Sequence, residues 1–67
     1  MNWDQIEGQW KQFRGRVQQR WAKLSENDLD AVRGRQQELI GRIQERYGVT
    51  REKAEREVRE WINRMTP

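Results

Sequence analysis

Apolar residues recur along the chain in three groups with a helical period. Trp3, Ile6, Trp10, Phe13, Val17, Trp21 and Leu24 follow one another at steps of three and four, which lines them up as one stripe on a helix. Leu29, Val32, Leu39, Ile40, Ile43 and Tyr47 form a second stripe, interrupted by Gln36. Ala54, Val58, Trp61, Ile62 and Met65 form a third. No stretch alternates with period two, so no strand is expected. The pattern predicts an all-α fold, a small bundle of three to five helices, with residues 1–67 as a single domain.

Local signals punctuate these stripes. Asn2 has Gln5 three residues on, and Ser25 has Asp28, the spacing of a capping box in which side chains satisfy the free amides of a first helical turn. Thr50 is placed to cap a third helix. An apolar residue precedes each cap and matches another five positions on: Met1 with Ile6, Leu24 with Leu29, Val49 with Ala54. This is the spacing of a hydrophobic staple. Gly48 suits a left-handed helix terminus and Pro67 cannot continue a helix. Glu52–Arg56, Glu55–Arg59 and Glu60–Arg64 are spaced for ion pairs along the last helix.

The chain also repeats itself. Shifted by 26, residues 6–21 align with 32–47 without a gap. Gly8, Gly15, Arg16, Gln18 and Arg20 recur as Gly34, Gly41, Arg42, Gln44 and Arg46, and the apolar positions coincide. Two copies are too few for a solenoid and suggest a pseudo-symmetric pair of helical hairpins or an antiparallel helix pair. Glycine is unfavourable inside a helix. The repeated glycines therefore predict a kink or break at Gly8 and Gly34, with close backbone approach by another helix or a phosphate as the sharper alternative. The pattern leaves open whether segments 2–23 and 25–47 are single kinked helices or are each split in two.

The segments IEGQWKQFRGRVQQRW, KLSENDL and GRIQERYGVTREKAEREV, in this order and spacing, resemble the CsbD-like family of small bacterial general stress-response proteins. The resemblance runs from about Asn2 to Ile62. It implies a compact bundle of four or so short helices, similar to two packed α-hairpins, and expression under general stress in the cytoplasm. It implies no established enzymatic activity, cofactor or partner, so no catalytic residue is carried over. The family's basic positions look Lys-rich, whereas this chain has eleven Arg and three Lys. The departure bears on anion binding, because guanidinium meets phosphate bidentately.

Composition narrows the chemistry. There is no cysteine and no histidine, so disulfides, thiolate nucleophiles and the commonest general base and metal ligand are all missing. Leu, Ile, Val and Phe supply 12 of 67 residues, under the roughly 20% that marks disordered chains. Against disorder stand a net charge of only +3 and four tryptophans, each able to bury on the order of 200 Å². The expectation is a folded, very hydrophilic domain. Two acids precede the first base, and no apolar run exceeds two residues. No secretory signal or membrane span is therefore expected, and the cytoplasm is the default compartment.

Candidate nucleophiles are Ser25, Thr50, Thr66, Tyr47 and the lysines, with no histidine or cysteine to activate them. Glu26, Asp28 and Asp30 cluster where a helix dipole favours acids. No calcium-loop or phosphate-loop motif occurs. No enzyme, cofactor or metal site is expected. The serious binding candidate is a basic strip, Lys11, Arg14, Arg16, Arg20 and Lys23, with no acid between residues 11 and 23. It could meet the phosphates of a nucleic acid or another polyanion weakly, although Phe13 and Trp21 lie in the apolar stripe and segment 25–48 sums to −1. The amphipathic segment 2–24 resembles interfacial helices, but a domain this small needs that stripe for its own core. The chain is expected as a monomer or homodimer. Five glycines and a mean hydropathy of −1.35 look hydrophilin-like. The leading expectation is a non-enzymatic protective stress protein acting through its charged surface, and polyanion binding is the alternative.

Overall fold

The computed structural model describes residues 2–65, and three of its helices start where side chains offer caps. Asn2 Oδ1 accepts the Gln5 amide at 3.0 Å, and α1 runs Trp3–Gly8. After α2, Trp10–Arg20, Ser25 opens α3, Glu26–Val32, with both halves of its capping box formed. The Asp28 amide donates to Ser25 Oγ at 3.1 Å and the Ser25 amide to Asp28 Oδ2 at 2.9 Å. The Asn2 cap makes only the forward bond. Gly48, at φ +63, ends α4, Gln36–Tyr47, with its amide on Gln44 O at 2.9 Å. Thr50 Oγ1 then accepts the Lys53 amide at 3.2 Å to start α5, Arg51–Met65. The staple expected between Met1 and Ile6, the nucleophile candidate Thr66 and the stop at Pro67 lie outside the described residues. No strand occurs among the described residues.

Both long segments are split in two, by different means. Between α3 and α4 the backbone enters the left-handed region at Arg33, φ +50, and Gly34, φ +79. Between α1 and α2 a single residue, Gln9, leaves the helix at φ −121 and ψ +36. Gly34 satisfies both readings of the repeated glycines at once. It turns the chain, and a Cβ there would lie 3.0 Å from Glu7 Cα, so α1 packs against bare backbone. Gly15 and Gly41 do neither, since they sit inside α2 and α4 with nothing within 4 Å of an added Cβ. Helices α2 and α4 begin 26 residues apart, at Trp10 and Gln36. Ile6, Phe13 and Val17 are buried, as are Val32, Leu39 and Ile43 one repeat later.

The three stripes close on one another. Helix α4 packs against both α3 and α5, so the helix pairs α3–α4 and α4–α5 share it. Helix α2 runs opposite to α5, with Arg20 opposite Glu57 and Arg16 opposite Met65. In the core, Trp21 and Trp61 meet edge to face at 5.5 Å and 63°. The buried Trp21 Nε1 has no hydrogen-bond partner among the described residues, a polar loss that an indole in an apolar core incurs. Trp3 and Trp10 stay half-buried and bind backbone instead. Trp10 Nε1 donates to Leu29 O at 3.1 Å and Trp3 Nε1 to Gly34 O at 2.6 Å. Leu29 O thereby accepts a second donor beside the Arg33 amide, and Gly34 O, in the turn between α3 and α4, accepts one from α1. The radius of gyration is 10.8 Å, against about 10.9 Å for a compact chain of this length, so four large indoles offset the low aliphatic content. Along α5 the expected Glu52–Arg56, Glu55–Arg59 and Glu60–Arg64 pairs do not form. Arg51 takes Glu55 at 3.0 Å and also reaches Gln37.

Two glycine substitutions should therefore act in opposite directions. Gly34→Ala forces a side chain into the left-handed region, at about 1–2 kcal/mol, and against the Glu7 backbone. Gly15→Ala removes a helix-interior glycine at an open site and should stabilise by up to about 1 kcal/mol. Urea unfolding followed by circular dichroism measures both.

Candidate functional site

Helix α2 carries Lys11, Arg14, Arg16 and Arg20 of the basic strip, Lys23 follows in the turn, and these cations have partners drawn from three other helices. Arg14 Nη1 lies 2.7 Å from Asp30 Oδ1 on α3. Arg20 Nη2 lies 3.2 Å from Glu57 Oε1 on α5, and its guanidinium carbon sits 5.0 Å from the centre of the Trp21 ring. Arg16 lies 5.6 Å from the Phe13 ring centre and donates to Met65 Sδ at 3.9 Å. The Lys23 ammonium lies 5.1 Å from the centre of the Tyr47 ring, while its backbone amide donates to Tyr47 Oη at 3.1 Å. Lys11 is exposed and has no side-chain partner among the described residues. Four of the five residues share α2 and Lys23 follows in the turn, and together they form no bare strip. Arg14 and Arg20 are paired with acids, Arg16, Arg20 and Lys23 lie against aromatic rings, and Lys11 is free among the described residues. Phe13 and Trp21 are buried, which withdraws them as platforms for stacking bases.

The strongest electrostatic feature is elsewhere. Asp28 is 1% exposed, in the first turn of α3. Arg46 holds it with two parallel bonds, Nε to Oδ2 and Nη2 to Oδ1, each 2.9 Å. Arg42, one turn earlier on α4, reaches Oδ1 at 3.3 Å. The Ser25 amide completes the set at Oδ2. Hydrogen bonding by Arg46, and then by the Ser25 amide, holds the Asp28 carboxyl well below its ordinary value of 3.8, with burial opposing. The same pairing raises Arg46. Bidentate guanidinium binding is the geometry in which a buried carboxylate is best compensated. The capping box made Asp28 legible as a helix-start residue. That Arg42 and Arg46 converge on it, 14 and 18 residues away, left only a faint signal in two arginines four apart on one helix face.

The remaining chemistry-bearing groups have similar local uses. Ser25 and Thr50 hydroxyls accept helix amides. Of the acidic cluster, Asp28 turns inward to the arginines and Asp30 outward to Arg14, so the carboxylates do not converge. Among the described residues no three acids stand close enough to hold a metal ion. No helix among them is long and apolar enough to cross a membrane.

With this geometry in place, comparison with known proteins is informative. The model of the CsbD-like family matches residues 4–56. A UPF0337 protein of Rhodopseudomonas palustris is 45% identical over 62 residues, spanning 92% of this chain and 94% of its own. One of Pectobacterium atrosepticum is 51% identical over 61 residues, spanning 91% and 88%. The UPF0337 protein YjbJ of Escherichia coli is 45% identical over 64 residues, spanning 96% and 93%. No solved structure matches the chain.

The Asp28 cluster makes stability depend on pH with a definite sign. The native carboxyl titrates lower than the unfolded one, so its contribution is complete above about pH 4 and is lost as the pH falls through the native value. Asp28→Asn should lower stability at neutral pH by roughly 1–3 kcal/mol. It should also flatten the decline between about pH 4 and pH 2. Urea unfolding across that range measures both.

Proposed function

The chain belongs to the CsbD-like family, and on that footing we propose that it is a non-enzymatic stress-response protein of the cytoplasm. In this reading the whole chain works as one domain, and at high abundance it protects other macromolecules when water is scarce. The observation that carries the proposal is how the charges are divided. Charges inside or between helices hold the scaffold, as Asp28 and Arg14 do. Outside, Glu7, Lys11, Glu26, Lys53, Arg56, Arg59 and Glu60 are exposed and form no ion pair among the described residues. Exposed unpaired charges of both signs keep their hydration shells and resist association. Such a surface separates client molecules as they concentrate, and no single residue carries the activity.

Polyanion binding through Lys11, Arg14, Arg16, Arg20 and Lys23 is the second reading. It is favoured by one observation, that Lys11, Arg16 and Lys23 have no acidic partner among the described residues. The ion pairs of Arg14 and Arg20 weigh against it, because a phosphate would have to displace Asp30 and Glu57.

Two measurements separate these readings. A labile enzyme dried or frozen with this protein should retain more activity than with a size-matched inert protein, and equal loss would refute the protective role. Titration against DNA and RNA at two salt concentrations should show no saturable binding. Tight, salt-steep binding that Lys11→Glu with Arg16→Glu abolishes would instead establish the second reading.

A further inference from the structure

Helices α1 and α2 are separated by one residue, Gln9, and apart from the helix-weakening Gly8 nothing local favours that break. Glutamine is a good helix former. Its side chain makes no cap bond to α2, and its φ of −121 requires no special residue. The other break is marked by positive φ at Arg33 and Gly34. The apolar stripe, moreover, crosses Gln9 in phase, since Ile6 and Trp10 stand four apart. Apart from Gly8, residues 3–20 carry the pattern of one continuous helix, one of the two arrangements that the sequence allows. What holds α1 back is its seat on the corner between α3 and α4. Trp3 Nε1 donates to Gly34 O at 2.6 Å, the Glu7 backbone lies against the space where Gly34 lacks a Cβ, and Ile6 between them is fully buried in the core.

An element kept in place by a tertiary seat across a one-residue hinge can be supplied equally well by a second copy. We propose that the chain forms a homodimer by exchanging α1. Gln9 becomes helical, residues 3–20 run as one helix, and Trp3, Ile6 and Glu7 of each copy occupy the Gly34 seat of the other. The seat contacts are the same in both forms. The exchanged form gains helix continuity: the amides of Trp10 and Lys11, which no side chain caps in the closed form, receive the carbonyls of Ile6 and Glu7. The opposing term is the lost freedom of two independent molecules, which rising concentration offsets. The exchange is independent of the protective reading, and it is favoured at the abundance which that reading requires.

Sedimentation of the full chain over a wide concentration range tests the proposal, with circular dichroism confirming that each variant is folded. A dimer should appear as concentration rises. Gln9→Ala, at the one residue that is non-helical in the closed form and helical in the exchanged form, favours the continuous helix and should raise the dimerisation constant several-fold. Gln9→Asp adds a cap for α2, favours the break and should lower it several-fold. The seat itself is read by crosslinking. Glu7→Cys and Arg33→Cys are made in separate chains, which otherwise contain no cysteine. They are unfolded and refolded together at high concentration, diluted, and treated with a short bis-maleimide. A covalent heterodimer joining the two introduced thiols is the expected product. Monomer mass at every concentration for both the unmodified chain and Gln9→Ala overturns the proposal. So does a dimer in which those thiols are not joined.

Discussion

A carboxylate buried in an 8.3 kDa protein must bring its compensation with it, and Asp28 imposes that requirement on the rest of the bundle. Desolvating a charge is costly unless it is paired and hydrogen-bonded. Asp28 therefore collects the Ser25 amide at the start of α3 and two guanidinium groups from α4. These bonds fix the rotation of α3 and its position along α4. With that pair set, Leu29 and Val32 on α3 face Leu39, Ile40 and Ile43 in one buried cluster. The same residue thus acts as helix cap, ion-pair partner and alignment device.

The corner that this pairing creates is where the N-terminal helices attach. The left-handed turn at Arg33 and Gly34 exposes backbone, and α1 and α2 use it. Trp10 donates to Leu29 O, Trp3 donates to Gly34 O, and Glu7 packs where a side chain at residue 34 would stand. A domain with little aliphatic material thus draws on aromatic side chains twice. Trp21 and Trp61 supply buried area, while Trp3 and Trp10 remain half-buried and donate their N–H groups to backbone carbonyls of α3 and the turn that follows it. The dimer proposal rests on the same corner, because it is a seat that any copy of α1 fits.

Charge is divided between these scaffold contacts and the outer surface. The basic strip of α2, read along the sequence, has the composition of a phosphate-binding face. In three dimensions Arg14 and Arg20 serve as tethers to α3 and α5. Pairs this exposed contribute only about 0–1 kcal/mol each, so their effect lies more in removing free positive charge from that face than in stability. The free charges that remain are of both signs and scattered, the arrangement on which the protective proposal stands.

Sequence alone determined the helical class, the three stripes, the caps at Asn2, Ser25 and Thr50, the terminus at Gly48 and the weak points near Gly8 and Gly34, leaving kink or split to the fold. All of these follow from interactions within about four residues, where spacing dictates geometry. Tertiary structure decided what lies farther apart along the chain. It brought Asp28 to Arg42 and Arg46, Trp3 to Gly34, Trp10 to Leu29 and Arg20 to Glu57, across 14 to 37 positions. It also brought Arg51 to Gln37 on α4, and it distinguished Gly34, which the fold requires, from Gly15, which it does not. The reason is common to all of them. A charge or an indole N–H is equally satisfied by any partner of the right chemistry, and only packing of the whole chain selects which one comes within 3 Å or so.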